Sequence, residues 1–259
     1  MKNCKNFMLF GFIFINCISL RAQLNYVPTD LDKSALEGII VEKYYIADSK
    51  DSKNKEGGSL PKGSVTYRIY VDLKPGYNMQ AVYGGRIHDL RIETTTEFFN
   101  NTYSGETTGD QIDSKKINEN TVALDSWVTI GAATNSHFGI LKSDDKDGSI
   151  IKRKGLDEAD GLIAGKISPV TYYGLDLGFF QKTEKASLFS SNDGSWVIFG
   201  GMKGPTEANR ILIAQLTTDG KLSYELNIQV GNPTGDSFQF VAKNPEGTEI
   251  QFDGLMLKK

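Results

Sequence analysis

The stretch "SVTYRIYVDL", residues Ser64 to Leu73, decides the predicted fold. Its odd-numbered residues are all apolar or aromatic, and most of the side chains between them are polar. A period of two with β-branched and aromatic residues is typical of a β-strand, and the "KPGY" that follows predicts a turn. We therefore expect a half-buried strand, with one face on a core and the other in solvent.

Similar runs recur along the chain, and no window of a dozen residues keeps apolar side chains at helical spacing. This pattern predicts an all-β fold of antiparallel β-sandwich layers. The other predicted strands cover residues 39–46, 79–84, 90–96, 126–131, 137–142, 170–180, 195–200, 210–218, 222–230 and 237–243.

Two connections have a distinct composition. Asp219 and Gly220 stand between two alternating runs, and Asp-Gly in that position favours a two-residue β-hairpin turn. Residues 48–63 are charged, glycine-rich and nearly free of apolar side chains, which predicts a long mobile surface loop.

The tripeptides "VTY" and "SWV" each occur in both halves of the chain. They favour two related β-sandwich halves, residues 24–143 and 167–259, joined by an acidic and basic connecting loop at 144–166. The spacing differs between the two tripeptides, so the alternative is that both are simply good strand sequences.

The N-terminal residues 1–23 have two lysines, an apolar run and then a polar exit with a small residue. This is the layout of a secretory signal peptide, and it predicts an exported protein, periplasmic or extracellular. A buried N-terminal element and a lipid anchor at Cys17 are the alternatives. Cys4 and Cys17 both lie in this segment, so the predicted mature chain has no disulfide and no thiol chemistry.

The formal net charge is −3, and loss of Lys2, Lys5 and Arg21 with the signal segment makes it −6. A mildly acidic chain gives no electrostatic reason to expect nucleic acid as a partner. The sequence predicts no transmembrane segment after signal removal, because no second apolar run is long enough to cross a bilayer.

The segments "SVTYRIYVDLKPGYNMQAVYG", "LDSWVTIGAATNSHFGILKSDDKDGS" and "ILIAQLTTDGKLSYELNIQVG" together resemble a family of secreted β-rich proteins from Bacteroidetes-type bacteria. The resemblance spans about Val41 to Lys243 and implies export and a β fold, with no functional residue to carry over. Relatives often have a C-terminal sorting domain for type IX secretion. The ending "IQFDGLMLKK" leaves no room for one, so periplasm and release remain equally open.

A calcium site is one candidate function, because carboxylate oxygens are the ligands that calcium prefers. The stretch "LKSDDKDGSI" does not fit an EF-hand loop, since Lys154 stands where a bidentate glutamate is needed. A looser loop site remains as a hypothesis, and a solvated acidic turn is the alternative. The candidate metal residues are Asp144, Asp145, Asp147, Asp157 and Asp160.

Aromatic side chains give a second candidate site. Trp127 and Trp196 lie inside apolar strands, so we expect both to be buried. Phe98 and Phe99 are adjacent, and neighbouring strand residues point to opposite faces. One of them, or Tyr103 in the following loop, is a candidate ligand-binding platform.

No residue is assigned a catalytic role. The chain has no nucleophile elbow, phosphate loop or dinucleotide fingerprint, and His88 and His137 lack zinc-ligand spacing. We expect a non-enzymatic exported protein that binds a glycan or a protein at the cell envelope or outside the cell. A polysaccharide hydrolase with a carboxylate pair and a structural envelope protein are the alternatives. The carboxylates considered for the hydrolase are Glu93, Glu97, Glu106 and Asp110.

Overall fold

The computed structural model describes residues 26–54, 56–181 and 185–258, and the predicted signal segment lies outside them. The described chain is all-β, as predicted, with a single four-residue α-helix, α1 Asp30–Lys33. None of its helices is long and apolar enough to span a bilayer. Short 3-10 helices cover Asp51–Lys53, Gly109–Gln111, Ser114–Lys116, Val122–Leu124, Lys142–Asp144, Leu177–Phe180 and Asp253–Leu255.

Most of the described strands are short; the longer ones are one strand at the edge of a sheet and three strands in the interior of their sheets. They are β1 Leu36–Ile46, β2 Val65–Leu73, β3 Asn78–Tyr83, β4 Leu90–Thr94, β5 Trp127–Val128, β6 Ala132–Thr134, β7 His137–Gly139, β8 Leu162–Ala164, β9 Thr171–Tyr173, β10 Leu188–Ser191, β11 Ser195–Met202, β12 Arg210–Thr218, β13 Leu222–Glu225, β14 Asn227–Gly231, β15 Ser237–Val241, β16 Ile250–Gln251 and β17 Met256–Leu257. Among the described pairs of strands, β15 and β16 run parallel and the others antiparallel; Thr108 and Val128 form an isolated parallel bridge.

The described strands form four sheets, with strand orders β1-β2-β12-β5, β10-β4-β13-β17, β16-β15-β14-β3-β11-β9 and β6-β7-β8. Each of the three larger sheets contains strands from both sides of the predicted connecting loop 144–166. The two predicted halves therefore do not form separate sheets. The chain interleaves them instead.

The central strand β2 differs from the prediction because both of its faces are buried. Ile69 and Val71 belong to a larger core, which also holds Trp196 and lies between the β1-β2-β12-β5 sheet and the strands of the other two large sheets. Tyr70 belongs to a smaller core with Trp127 on the opposite face of the same sheet. Burial of both tryptophans is confirmed.

Arg68 lies in the interior beside the smaller core, at 2% exposure. Its Nε donates to Gln215 Oε1 at 2.9 Å, and its Nη1 donates to the carbonyl of Gly161 at 3.0 Å. The guanidinium stacks on the Tyr44 ring at 3.5 Å from the centroid. A planar cation with several donors can satisfy buried carbonyls from different segments at once, so Arg68 connects β2 to β12 and to the loop before β8.

The predicted hairpin at Asp219 and Gly220 is wrong. Strand β12 pairs with β2 and β5, whereas β13 pairs with β4 and β17 in a different sheet. A hairpin turn of that type requires positive φ at both central residues, and neither has it. Gly220 instead lies against the threonine hydroxyls at the end of β4, where an added Cβ would come within 2.4 Å of Thr94 Oγ1.

Asp32 attaches the N-terminal segment to the body of the fold. Its Oδ2 accepts hydrogen bonds from Tyr26 Oη at 2.6 Å and from Thr29 N at 2.9 Å, and its Oδ1 accepts one from Tyr77 Oη at 3.1 Å. Burial raises the pKa of Asp32, but the hydrogen bonds outweigh burial and lower the pKa to about 2 from the usual 3.8. The ionised form is therefore the one that stabilises this attachment.

We expect Asp32→Asn to lower the free energy of unfolding by roughly 2 kcal/mol at pH 7, the equivalent of the pKa shift. A depressed carboxyl pKa gives stability that is present above the unfolded-state pKa near 3.8 and is lost as pH falls toward about 2. The difference between wild type and variant should therefore shrink below pH 4 in urea titrations. Asp30→Asn, at a fully exposed carboxylate of the same helix, is the control and should change little. A pH-independent difference would contradict this role.

Candidate functional site

One cavity among the described residues is a groove of about 560 Å³, which we call the loop groove. Its lining comes from residues 58–61 and 64, residues 96–100 and 102, Lys185, and residues 218–219. The volume lies within the range of small-molecule sites, and the exposed lining is mainly apolar with polar groups around it. Loops presented by a sheet scaffold thus form a concave surface.

The first wall belongs to the loop predicted to be mobile, and it is anchored at two points. Asp51 is buried, with Oδ2 accepting from Tyr45 Oη at 3.0 Å and Oδ1 pairing with Arg153. Leu60 is buried in the smaller core. The composition of residues 48–63 does not reveal this anchoring, because Arg153, which pairs with Asp51, is 102 residues away in sequence.

The second wall runs from Thr96 to Thr102 and is held by backbone hydrogen bonds. Phe98 N donates to Ala186 O at 2.9 Å, and Phe99 N donates to Thr217 O at 2.8 Å. Thr102 N donates to Gly57 O at 3.1 Å, which ties this wall to the first one. The groove is therefore formed by fixed backbone on both sides.

Asp125 fixes the turn beyond the second wall. Its two carboxylate oxygens accept from Asn101 N at 2.7 Å and from Glu106 N at 2.8 Å. Burial raises the pKa of Asp125 to about 8, although these backbone hydrogen bonds oppose the shift. The Asn101 side chain donates to Thr121 Oγ1 at 2.9 Å, so the turn is held from two directions.

The three predicted ligand residues lie in three different environments. Phe98 is buried in the larger core, with its ring 5.7 Å from the Phe179 ring, and contributes to the groove lining. Phe99 is half-buried, packs against the smaller core and lines the groove. Tyr103 is 40% exposed and lies outside the lining of the groove, with the Lys116 ammonium over its ring at 5.5 Å.

The polar groups of the groove include acids, a base and hydroxyls. Glu97 and Lys185 form an exposed ion pair at 3.7 Å. The hydroxyl of Thr218 shares hydrogen bonds with those of Thr96 at 3.0 Å and Thr94 at 2.7 Å. Asp219 adds a second carboxylate to the lining. Sequence reasoning missed Thr218, Asp219 and residues 58–61, because their place in the groove depends on tertiary pairing.

Of the five predicted calcium ligands, Asp145 and Asp160 are connected to each other, but through hydrogen bonds that their carboxylates accept from backbone amides. Asp160 is buried, and its Oδ2 accepts from Ile150 N at 2.6 Å and Ile151 N at 3.0 Å. Asp145 Oδ2 accepts from the amide N of Asp160 and that of Gly161, both at 2.9 Å. Amide donors thus occupy the oxygens that a cation would need.

The other three aspartates have separate roles. Asp144 pairs with Arg210 at 3.0 Å, and Asp157 accepts from Gly155 N at 2.8 Å. A hydrogen bond with Asp145 raises the pKa of Asp147. Across the described ranges, no group of three or more acidic, histidine or cysteine side chains is placed to hold a metal ion.

Other candidate acids and histidines are dispersed. Glu106 lines a second, more polar cavity of about 630 Å³ together with Asp176. Glu93 pairs with Arg91 at 3.5 Å. His88 is buried against Glu249, with Nε2 and Oε2 2.7 Å apart, whereas His137 contacts the Thr134 hydroxyl at 3.0 Å. The two histidines therefore have different partners.

No family model matches the chain, and neither a curated protein nor a solved structure matches it.

Proposed function

We propose that this chain is an exported, non-enzymatic binding protein that takes a glycan in the loop groove at the cell envelope or outside the cell. The observation that carries the proposal is the groove itself, a cavity of about 560 Å³ with an apolar lining that includes Phe99 and a polar rim. A sugar has the matching chemistry, since its ring carries apolar C–H faces and its edges carry hydroxyls.

The polar rim suits hydroxyl recognition in particular. Thr102, Glu97 and Asp219 offer a hydroxyl and two carboxylates, and Lys185 offers a cationic donor. Carboxylates accept hydrogen bonds from ligand hydroxyls, while ammonium and hydroxyl groups donate to ligand oxygens. Because the first wall is anchored through Asp51 and Leu60 and the second is held by backbone hydrogen bonds, the ligand would not have to order them on binding.

Export is supported by the sequence alone, through the signal-like segment 1–23. The experiment for the proposal is a glycan array probed with purified protein, followed by titration of the best glycan in solution. Saturable binding without product formation supports the proposal.

We expect Phe99→Ala to weaken glycan binding about tenfold or more, because the variant loses the aromatic surface of the groove. The backbone bonds of residue 99 remain available in the variant, since they use its N–H and its carbonyl, which accepts from Ser126 Oγ at 2.6 Å. Titration calorimetry measures the dissociation constant.

Phe199→Ala is the matched control. Phe199 is 75% exposed and lies outside the loop groove. Its removal should leave glycan affinity and melting temperature unchanged. Equal losses in both variants would exclude the loop groove as the site, and an array with no bound glycan would exclude the ligand class.

A polysaccharide hydrolase is the second candidate, and the observation that favours it is the presence of two carboxylates, Glu97 and Asp219, in one cavity. Glycosidases act through such a pair. The hydrolase predicts release of reducing ends from a bound glycan. If Glu97→Gln or Asp219→Asn abolishes that release and Glu93→Gln does not, a hydrolase replaces the non-enzymatic binding protein as the proposed function. Neither binding nor turnover would favour a structural role.

A further inference from the structure

Strand β1 is an unusual edge. It lies at the end of the order β1-β2-β12-β5, pairs only with β2 among the described strands, and is 11 residues long. The other edge strands of the described sheets have four residues or fewer. Short edge strands offer too little backbone for another chain to pair with. The other edges of the described sheets are protected in this way, whereas β1 is not.

The middle of β1 is also apolar. Ile39, Ile40 and Val41 are half-buried, in a regular stretch between two bulges that interrupt its register with β2. Ile39 and Val41 pack toward the larger core, and Ile40 packs toward the smaller one. An edge strand has unpaired N–H and C=O groups along its free side, and here they run beside three large aliphatic side chains.

Charges flank this apolar stretch symmetrically. Glu37 lies three residues before Ile40, at the first bulge, and Lys43 lies three residues after Ile40, at the end of the regular stretch; both side chains are exposed. An antiparallel pair of two identical strands centred on Ile40 places the Glu37 of each copy opposite the Lys43 of the other. It also places each Ile39 opposite a Val41, so that apolar residues oppose apolar residues.

Neighbouring registers lose this match. Centring the pair on Val41 sets Ile39 opposite Lys43, and centring it on Ile39 sets Glu37 opposite Val41. Cross-strand pairs of opposite charge and of β-branched residues stabilise antiparallel sheets, whereas a charge opposite an aliphatic residue does not. The sequence of β1 is therefore self-complementary in one register.

We propose that a second copy of this chain pairs antiparallel along β1, about a two-fold axis at Ile40, and extends the β1-β2-β12-β5 sheet across a homodimer. A two-fold interface uses the same patch on both copies, which the symmetric charge placement satisfies. The inference is independent of the glycan proposal, because residues of the loop groove come from other segments.

Analytical ultracentrifugation from low to high micromolar concentration tests this proposal. We expect a concentration-dependent dimer for the wild type. Glu37→Lys and Lys43→Glu should each weaken dimerisation about tenfold, because each converts two attractive pairs into two repulsive ones. The double variant E37K/K43E restores both pairs with reversed polarity and should return close to the wild-type constant.

Two further charge reversals are controls. Glu246→Lys and Lys62→Glu change exposed residues outside β1 by the same charge and should leave the dimer unchanged. A wild-type protein that stays monomeric throughout would overturn the proposal, as would a dimer that is indifferent to the single variants. A double variant that stays as weak as the single ones would overturn the register.

Discussion

Arg68→Ala should lower the free energy of unfolding by about 3–5 kcal/mol, the largest effect we expect from a single substitution here. The side chain is buried and donates to Gln215 Oε1 and to the carbonyls of Asp160 and Gly161. Its loss leaves these acceptors unsatisfied in the interior and opens a cavity beside the Tyr44 ring, which the guanidinium covers. Urea denaturation followed by circular dichroism measures the change.

Arg68→Met separates the two causes. Methionine refills part of the volume but cannot donate, so a loss close to that of alanine would assign most of the effect to the hydrogen bonds. Arg91→Ala removes an arginine whose side chain is 42% exposed, and it should change stability by no more than about 0.5 kcal/mol. A loss below about 1 kcal/mol for Arg68→Ala would mean that water replaces the guanidinium.

Asp160→Ala should cost about 3 kcal/mol, because it removes the acceptor of several buried donors. The carboxylate accepts from the backbone N–H groups of Ile150, Ile151 and Leu162 and from the Ser149 hydroxyl. Asp157→Ala is the control from the same acidic region, since Asp157 accepts a single exposed bond from Gly155 N. It should cost less than about 1 kcal/mol.

Calcium gives the contrasting explanation for the importance of Asp160. If the aspartates held a cation, chelator would lower the melting temperature of the wild type, since a ligand that binds only the folded state stabilises it. We expect equal melting temperatures in millimolar calcium and in chelator. A clear increase with calcium would restore the metal site and reassign the effect of Asp160→Ala.

The strand at Ser64 to Leu73 shows what the sequence can predict. Periodicity identified β2 and the all-β class correctly, because alternation follows directly from the pleat. It did not identify the second buried face, because Arg68 and Tyr70 have the polarity of solvent-facing residues. Their partners, such as Ile140 O for the Tyr70 hydroxyl at 2.7 Å, are far away in sequence.

The turn at Asp219 and Gly220 shows how local preference is overridden. The dipeptide favours a hairpin, but β12 gains a central place between β2 and β5, and β13 gains neighbours in another sheet. Tertiary pairing of long strands outweighs the preference of a two-residue turn. The chain thus passes from one sheet to another between β12 and β13, and this passage brings Thr218 and Asp219 into the loop groove. Because the sequence predicted a hairpin there, it did not place these two residues in the candidate site.

The candidate site was partly predictable for a geometric reason. Phe98 and Phe99 are adjacent in an extended segment and therefore cannot share one core, and Phe98 indeed lies in the larger core while Phe99 packs against the smaller one. The aspartates of residues 144–160 were less informative about the site. Residue type alone does not distinguish an aspartate that accepts hydrogen bonds from backbone amides from one that binds a cation. Only the fold shows that Ile150 and Ile151 supply the donors to Asp160.

The interleaving of the two halves has a consequence for folding during synthesis. Arg68 and Gln215, partners across β2 and β12, are 147 residues apart in sequence. The entropy of closing so long a loop must be overcome before the pairing stabilises the chain, and such topologies fold slowly. The β1-β2 pair can form early, but its sheet stays incomplete until β12 has left the ribosome. For a chain that we propose is exported, this late closure prolongs the unfolded state in which it can still be transported.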